Sequence, residues 1–393
     1  MPLTGITVVE LGSLIAGPFA TRLLAEFGAD VIKIEPPGKG DPLRRWRRLH
    51  KNTSLWWAVQ SRNKKSVTLN LKDREALDAL RKLLERADIL VENFRPGVLE
   101  RLGLGPEELK ALNPRLVIVR LSGFGQSGPY AQRPGFGAIG ESMGGLRYVT
   151  GFSDRPPVRT GISIGDSLAA LFAVIGALMA LRHRDATGIG QVVDVALYEA
   201  VFAMMESLVP EYDHQGYIRE RSGNIMPGIT PSSTHMSKDG QPVLIAGNGD
   251  EIFQRLCNVI GKADWIHRAE FGDNAGRDVH RDEIYATLDQ WASQHDAVDL
   301  LAKLEQADVP ASKVYSVADM FKDPHFIARH MLLTTRLEDG SSLKVPGIVP
   351  KLDRTPGQMK WPGPALGAHT RIVLFSLGFS EDQLDDMAAR GAI

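Results

Sequence analysis

The sequence predicts an α/β fold built on a mostly parallel sheet covered on both faces. Three observations carry that expectation. Short β-branched stretches alternate with helical patterns along the first 121 residues, at the spacing of βαβ units. A long stretch of small and apolar residues, 168–181, contains no charge and reads as a buried core helix. The chain has 393 residues, 43% of them apolar, enough to bury a large core in two or three lobes.

The elements follow in order. Residues 6–11 form a short strand, and residues 16–27 a helix with Pro18 in its first turn and Gly28 past its end. Residues 31–35 are the next strand, broken by the loop Pro36-Pro37-Gly38-Lys39-Gly40. A strand at 66–70 leads to an amphipathic helix at 73–86, a strand at 89–92, a helix at 106–112 and a strand at 116–121. After the apolar helix come a strand at 191–196 and one Met-rich helix at 197–209. The texture changes near Asp213: a Gly/Pro/Ser-rich loop covers 216–234, and a strand at 242–246 with helices at 250–259, 282–295 and 297–306 outlines a smaller lobe. The expected division is 1–212, 213–330 and 331–393, the last returning to short strands, proline turns and two short helices.

Charge and cysteine content exclude several functions. Lys+Arg total 46 against 47 Asp+Glu, without the basic excess of a nucleic-acid protein. A single cysteine, Cys257, rules out an internal disulfide framework and a thiolate zinc cluster, and points to a reducing, cytoplasmic setting. Residues 168–181 fall short of the roughly 20 needed to span a bilayer, and the start of the chain lacks a signal-peptide pattern, so no membrane association is expected. No histidine or carboxylate spacing fits a metal site, and no G-x-S-x-G elbow fits a hydrolase.

Asp166 is the candidate of most interest. It stands at the front edge of the apolar helix, behind a turn holding Gly161 and Gly165. There the helix dipole and the first free N–H groups favour the ionised carboxylate, an available nucleophile. The competing reading is a plain N-cap. Gly123-Phe124-Gly125-Gln126-Ser127-Gly128 follows a strand but runs into Pro129, not a helix, so it fits a dinucleotide site poorly. Arg44, Arg45, Arg47, Arg48 and Lys51 cluster around Trp46, either as a solvated loop or as a phosphate site. Asn93, Phe94 and Arg95 follow the 89–92 strand, where open parallel sheets bind ligands. An amide, a ring and a guanidinium there suit a nucleotide, against the alternative of a simple strand–helix turn.

These segments together resemble the class III CoA-transferase family, which includes the carnitine/bile-acid CoA-transferases and the formyl-CoA transferases. The matching pieces include Ala16-Gly17-Pro18, Lys33-Ile34-Glu35-Pro36-Pro37-Gly38, Asn63-Lys64-Lys65-Ser66, Glu92-Asn93-Phe94-Arg95-Pro96-Gly97, Arg133-Pro134-Gly135-Phe136, Gly165-Asp166 and Leu366-Gly367-Ala368-His369-Thr370. The resemblance implies a large Rossmann-like domain built from both ends of the chain, a smaller α/β domain from the middle, and an interlocked homodimer. It implies Asp166 as catalytic residue and CoA contacts at Ile15, Ala16, Leu69, Asn70, Leu71, Lys72, Asn93, Phe94, Arg95 and Arg101. No cofactor is implied beyond coenzyme A as substrate. Pro36 stands where the formyl-CoA transferases have an arginine, and Gly137 where many relatives carry an acidic residue.

The stretch around Arg147 and Arg159 is similar to succinyl-CoA-dependent transferases acting on malate, citramalate or itaconate, and those two arginines are expected to pair with a substrate carboxylate. The implied reaction passes CoA from an acyl-CoA, succinyl-CoA, to a small dicarboxylic acid through an aspartyl anhydride and an aspartyl-CoA thioester. Gly161 and Gly165 are expected to open backbone N–H donors to the acyl group. The alternatives are an α-methylacyl-CoA racemase on the same fold and a non-catalytic CoA-binding protein.

Overall fold

Six parallel strands form the sheet that organises the larger of two compact units in the computed structural model, which describes residues 1–393. They are β1 (Thr7–Glu10), β2 (Asp30–Glu35), β3 (Lys64–Thr68), β4 (Ile89–Glu92), β5 (Val117–Ser122) and β6 (Val192–Ala196). Their order across the sheet is β3-β2-β1-β4-β5-β6. Val8 pairs with Val31 on one side and Ile89 on the other, so the winding reverses between β1 and β4. Crevices at such a reversal, past the carboxyl ends of the strands, are where doubly wound sheets bind ligands.

Both faces of the sheet are covered, as its near-continuous apolar strands require. On one face α1 (Ala16–Glu26) packs Ala20 and Leu24 against Val8, Val31 and Ile89. Beside it lies α4 (Ile164–Thr187), which follows a short α3 (Gly137–Met143) and precedes α5 (Leu197–Phe202). The other face is covered by α2 (Arg74–Leu84), through Leu80 and Leu83, and by two helices from the end of the chain that bring Val373, Leu374, Leu384 and Met387 onto Val9, Ile32 and Leu90. Each such leucine contributes about 1.5–3 kcal/mol by leaving water. Both ends of the chain thus build this unit, Met1–Leu146, Thr160–Gly216 and Ala328–Ile393.

The second unit comprises Arg147–Arg159 and Tyr217–Ile327. Its boundaries fall at 216/217 and 327/328, a few residues from the 212/213 and 330/331 read from sequence, and it gains the segment 147–159. A three-stranded antiparallel sheet, β7 (Ser232–Met236), β8 (Pro242–Ala246) and β9 (Ala311–Lys313), carries helices Asp250–Val259, Arg281–Ala292 and Ala297–Gln306. Phe253, Trp265 and Phe271 form its aromatic core. Cys257 is buried there, and burial pushes its thiol up to about 12, leaving it inert.

Two sequence expectations change. The helix expected at 197–209 is broken into α5 and a separate helix Leu208–Gln215, with Glu206 between them in the left-handed region at φ 49°. The apolar helix is longer than expected, 24 residues, and is not fully buried. Its Ala169, Ala170, Ala173, Ala177 and Ala180 face the sheet, while Leu171, Ile175, Leu178 and Met179 face outward, Met179 with 67% exposure. By length and composition alone the helix is long and apolar enough to cross a membrane. The alanine face explains the close packing: a Cβ on Gly176 would lie 2.5 Å from Val193 Cγ1.

Beneath the ends of β1–β3 lies a cluster of buried charge. Glu10, Glu35 and Asp41 face Lys33, Lys64 and Arg44, all nine-tenths or more buried. Lys33 Nζ reaches Glu10 Oε1 at 2.7 Å, Asp41 Oδ2 at 2.9 Å and the Gly12 carbonyl at 2.7 Å. Lys64 Nζ reaches Glu10 Oε2 at 2.8 Å and the Pro18 carbonyl at 2.7 Å. Arg44 grips Glu35 through Nε and Nη2, both at 2.8 Å, and stacks on Trp57. Burial alone would raise the Glu10 pKa, but Lys33 and Lys64 outweigh it and lower it to about 2. Burial lowers the Lys64 ammonium to about 8, and burial opposes but does not prevent the rise of Lys33 above the usual lysine range under Glu10, Asp41 and Glu35.

Because the folded pKa of Glu10 is depressed, its contribution to stability is present above about pH 4.5 and is lost as pH falls toward about 2. Glu10→Gln should cost about 3–5 kcal/mol in urea unfolding at pH 7, the penalty of stranding a buried partner. The deficit relative to wild type should narrow as pH drops through that window. A deficit that does not change with pH would show that the Glu10 charge is not the source.

Candidate active site

Three loops meet past the carboxyl ends of β1, β4 and β5. The first, residues 12–15, is held from below. Lys33 fixes the Gly12 carbonyl, and both Asp41 carboxylate oxygens accept the Leu14 N–H at 3.1 Å. Gln60 Nε2 donates to the Ile15 carbonyl at 3.1 Å. Leu14 sits at φ 65°, a conformation costing a residue with a Cβ about 1–3 kcal/mol, which these bonds offset.

The second loop is tied to the first by Asn93. Its Oδ1 accepts the Ser13 N–H at 2.8 Å and its Nδ2 donates to the Ser13 carbonyl at 2.8 Å. The amide expected to read a base or ribose instead clasps the neighbouring loop across the switch point. Glu92 stands behind, accepting the Phe94 N–H at 2.7 Å and Arg120 Nε at 2.8 Å. Burial raises its pKa, with Arg120 opposing.

Asp166 comes from α4, in its first turn and not at its cap, which is Ser163. The carboxylate is half-buried and near the positive end of the helix. Its space is made by Gly137. A Cβ built there would lie 2.6 Å from Asp166 Cγ and collide with the carboxylate oxygens. The α3 helix approaches this closely because its glycines leave room: a Cβ on Gly140 would meet Leu197 Cβ at 2.9 Å, and one on Gly144 would meet Val201 Cβ at 2.7 Å. Gly165 belongs to the same contact, its absent Cβ 2.8 Å from the Gly137 carbonyl, and its N–H donates to buried Glu141 at 3.4 Å. Of the two glycines expected to open backbone donors, Gly165 turns its N–H to Glu141, while Gly161 lies exposed with open space around it.

A cleft of about 110 Å³ joins these parts. Ile15, Ala16, Asn93, Phe94, Arg95 and Asp166, all singled out from sequence, line it. Ser122, Gly123, Arg133 and Phe136 line it as well and were not assigned roles. Their signal was available: Ser122 ends a central parallel strand, and Arg133 and Phe136 belong to a recognised motif. Leu69, Asn70, Leu71, Lys72 and Arg101 are not in its lining. Leu69 is buried in the core, with its N–H bonded to the Glu35 carbonyl, while Lys72 and Arg101 are exposed. Arg147 and Arg159 fall in the second unit. Three members of the basic cluster around Trp46, Arg44, Arg45 and Lys51, line a separate cavity of about 410 Å³; Arg44 pairs with Glu35, Arg45 bonds the Lys39 carbonyl, and Lys51 pairs with Asp339.

The second unit holds one arrangement that resembles a hydrolytic triad. Ser233 Oγ contacts His235 Nε2 at 2.7 Å and His235 Nδ1 contacts Asp289 at 2.7 Å. The order is inverted for catalysis, because the serine is buried and the aspartate is exposed.

Sheet order and cleft define a doubly wound α/β enzyme with a carboxylate at the switch point. The chain belongs to CoA-transferase family III, whose family model matches residues 3–370, and it is a CoA-transferase. It is 48% identical, over its full length and 98% of the relative, to the succinyl-CoA–D-citramalate CoA-transferase of Chloroflexus aurantiacus. It is 40% identical, with the same coverage, to the succinyl-CoA–L-malate CoA-transferase beta subunit of that organism. The crystal structure of a CAIB/BAIF family protein from Brucella suis superposes with a TM-score of 0.84 at 33% identity, covering 96% of this chain and 99% of that one.

The Gly137 contact makes a prediction that separates activity from folding. Gly137→Ala should favour α3 by roughly 1 kcal/mol or less. Turnover should nevertheless fall on the order of 100-fold, because the Asp166 carboxylate must swing away. Melting temperature and steady-state rate, measured on one preparation, check both halves; an unchanged rate refutes the steric account.

Proposed function

We propose that the enzyme transfers CoA from succinyl-CoA to a small dicarboxylic acid of the citramalate or malate type, with Asp166 as covalent nucleophile. One observation carries the reading. The Asp166 carboxylate shares a cleft with Ile15, Ala16 and the Asn93–Phe94–Arg95 loop at the switch point of the sheet. The substrate class is supported by the relatives that match over the full chain, named as succinyl-CoA–D-citramalate and succinyl-CoA–L-malate transferases. Coenzyme A enters as substrate, and the reading requires no further cofactor.

The chemistry follows from a carboxylate facing a thioester. An Asp166 oxygen bonds to the succinyl carbonyl carbon, and the CoA thiolate leaves with the C–S electron pair. The resulting anhydride is attacked at the Asp166 carbonyl by the retained thiolate, which frees succinate and leaves an aspartyl-CoA thioester. The acceptor carboxylate displaces the thiolate from that thioester to form a second anhydride. The thiolate then attacks the acceptor's acyl carbon and regenerates Asp166. Each step exchanges groups of similar energy, so the protein's task is positioning and exclusion of water. A racemase needs an acid–base pair; no histidine lines the cleft, and Asp166 is its one carboxylate.

Asp166→Asn keeps the side-chain size in the first turn of α4. It should abolish transfer from succinyl-CoA to a panel of mono- and dicarboxylic acids, by more than about 10⁴-fold. Digestion of wild type incubated with succinyl-CoA should yield a hydroxylamine-labile adduct on the Asp166 peptide. Retained turnover in the variant removes Asp166 from this role.

We also propose that the chain works as a homodimer. The support is the outward face of α4, where Leu171, Ile175, Leu178 and Met179 are exposed, together with exposed Ile139 and Met143 on α3. An apolar surface of this kind marks an interface. Sedimentation should report about twice the 43.0 kDa chain mass, and Leu178→Glu with Met179→Glu should return it to one. A monomeric wild type refutes the proposal.

A further inference from the structure

We infer that Ser122 is a further catalytic residue, whose hydroxyl donates a hydrogen bond to the acyl oxygen while Asp166 attacks. The inference rests on the proposed role of Asp166. Ser122 is the last residue of β5, at the carboxyl end of a central strand. It is 6% exposed and lines the same cleft as Asp166. Its Oγ is buried and has no hydrogen-bond partner in the protein. Other buried side-chain atoms lack partners, among them Ser61 Oγ and Gln126 Nε2, but Ser122 alone of those residues lines this cleft.

A buried hydroxyl without a partner costs free energy, and the fold gains nothing by keeping one. A group that binds the reacting atoms is the exception, since its partner arrives with the substrate. The backbone beside it is fixed. A Cβ on Gly123 would lie 2.8 Å from Gly135 Cα, so the two chain segments are pressed together at this wall. The serine therefore stands on a rigid strand end in the cleft wall, and its hydroxyl, which has almost no accessible surface before substrate binds, meets an acyl oxygen by rotation of the side chain.

The step balances without proton transfer. An Asp166 oxygen bonds to the acyl carbon, and the carbonyl π pair moves onto the acyl oxygen, where the Ser122 O–H meets it. When the intermediate collapses, that pair re-forms the carbonyl and the C–S bond breaks with its pair on sulfur. Ser122 keeps its proton throughout. In the second half of the cycle the acceptor's acyl carbon is joined to the Asp166 carbonyl carbon through an oxygen that the acceptor brought, in place of the oxygen that left with succinate, and it stands where the succinyl carbon stood. One hydroxyl thus serves both halves.

The test uses single turnovers of each half-reaction, acylation by succinyl-CoA and release by the acceptor acid, in Ser122→Ala and Ser122→Thr. Ser122→Ala should slow both by about 100-fold, while Ser122→Thr, which keeps the hydroxyl, should recover to within about tenfold of wild type. The melting temperature of Ser122→Ala should be unchanged or higher, because an unpaired buried group has been removed. Half-reactions within about threefold of wild type, or a loss confined to one of them, overturn the inference. A lower melting temperature with rates that Ser122→Thr does not restore overturns it too, marking a packing role. If active wild type carries no adduct on the Asp166 peptide, the Asp166 reading itself fails; if Ser122→Ala forms that adduct at the wild-type rate, only the Ser122 inference fails.

Discussion

The Lys33 ammonium is the contact on which the cleft depends. It bridges Glu10 on β1, Asp41 in the loop after β2 and the carbonyl of Gly12. Through Asp41 it fixes the N–H of Leu14, and through Gly12 the start of the same loop. Two strands, the loop after β2 and the switch-point loop thus share one buried charge. Such a cluster is a poor source of net stability, since desolvation of six ionic groups offsets most of their attraction. What it supplies is a single backbone geometry: Leu14 has to adopt a left-handed conformation, and the network leaves the loop no other arrangement that satisfies Lys33.

A second constraint sets the position of Asp166 from the opposite side. The α3 helix packs on α4 and α5 through Gly137, Gly140 and Gly144, and Gly165 of α4 receives the Gly137 carbonyl. Close packing of this kind leaves no room for adjustment. The carboxylate occupies the volume that a side chain at residue 137 would fill, so this placement of Asp166 depends on residue 137 being glycine. Two rigid walls, one made of charge and one made of glycine contacts, therefore bound the cleft.

Much of this was legible in the sequence. The β-branched runs of β1, β2, β4 and β5, and Pro18 and Gly28 at the two ends of α1, are local signals, and the strands formed within a few residues of where they were expected. Asp166 was legible because a carboxylate beside an uncharged helix is conspicuous. What was not legible depends on long-range contact. Glu10, Lys33 and Lys64 read as ordinary strand residues, since their pairing crosses 23 and 54 positions of chain. The 168–181 stretch is apolar all round, so its periodicity could not reveal which face meets the sheet. The exposed row Leu171, Ile175, Leu178 and Met179 emerged only from the packed structure. The break at Glu206 was hidden by the helix-favouring Met204 and Met205 just before it.

Asn93 shows that a residue singled out for ligand recognition also holds backbone in place. Its type and its place after β4 pointed to ligand recognition, and it does line the cleft. Yet its amide makes two hydrogen bonds to Ser13, so its geometry is fixed before any ligand arrives. Beside it the Phe94 ring, the exposed Arg95 and Arg133 from the facing loop line the same cleft. Pre-organisation of this sort lowers the entropy lost on binding. The same division runs through the whole cleft. Lys33, Asp41 and Asn93 hold backbone, Gly137 and Gly165 hold distance, and Asp166 and Ser122 are left to face the reacting carbon in the proposed reaction.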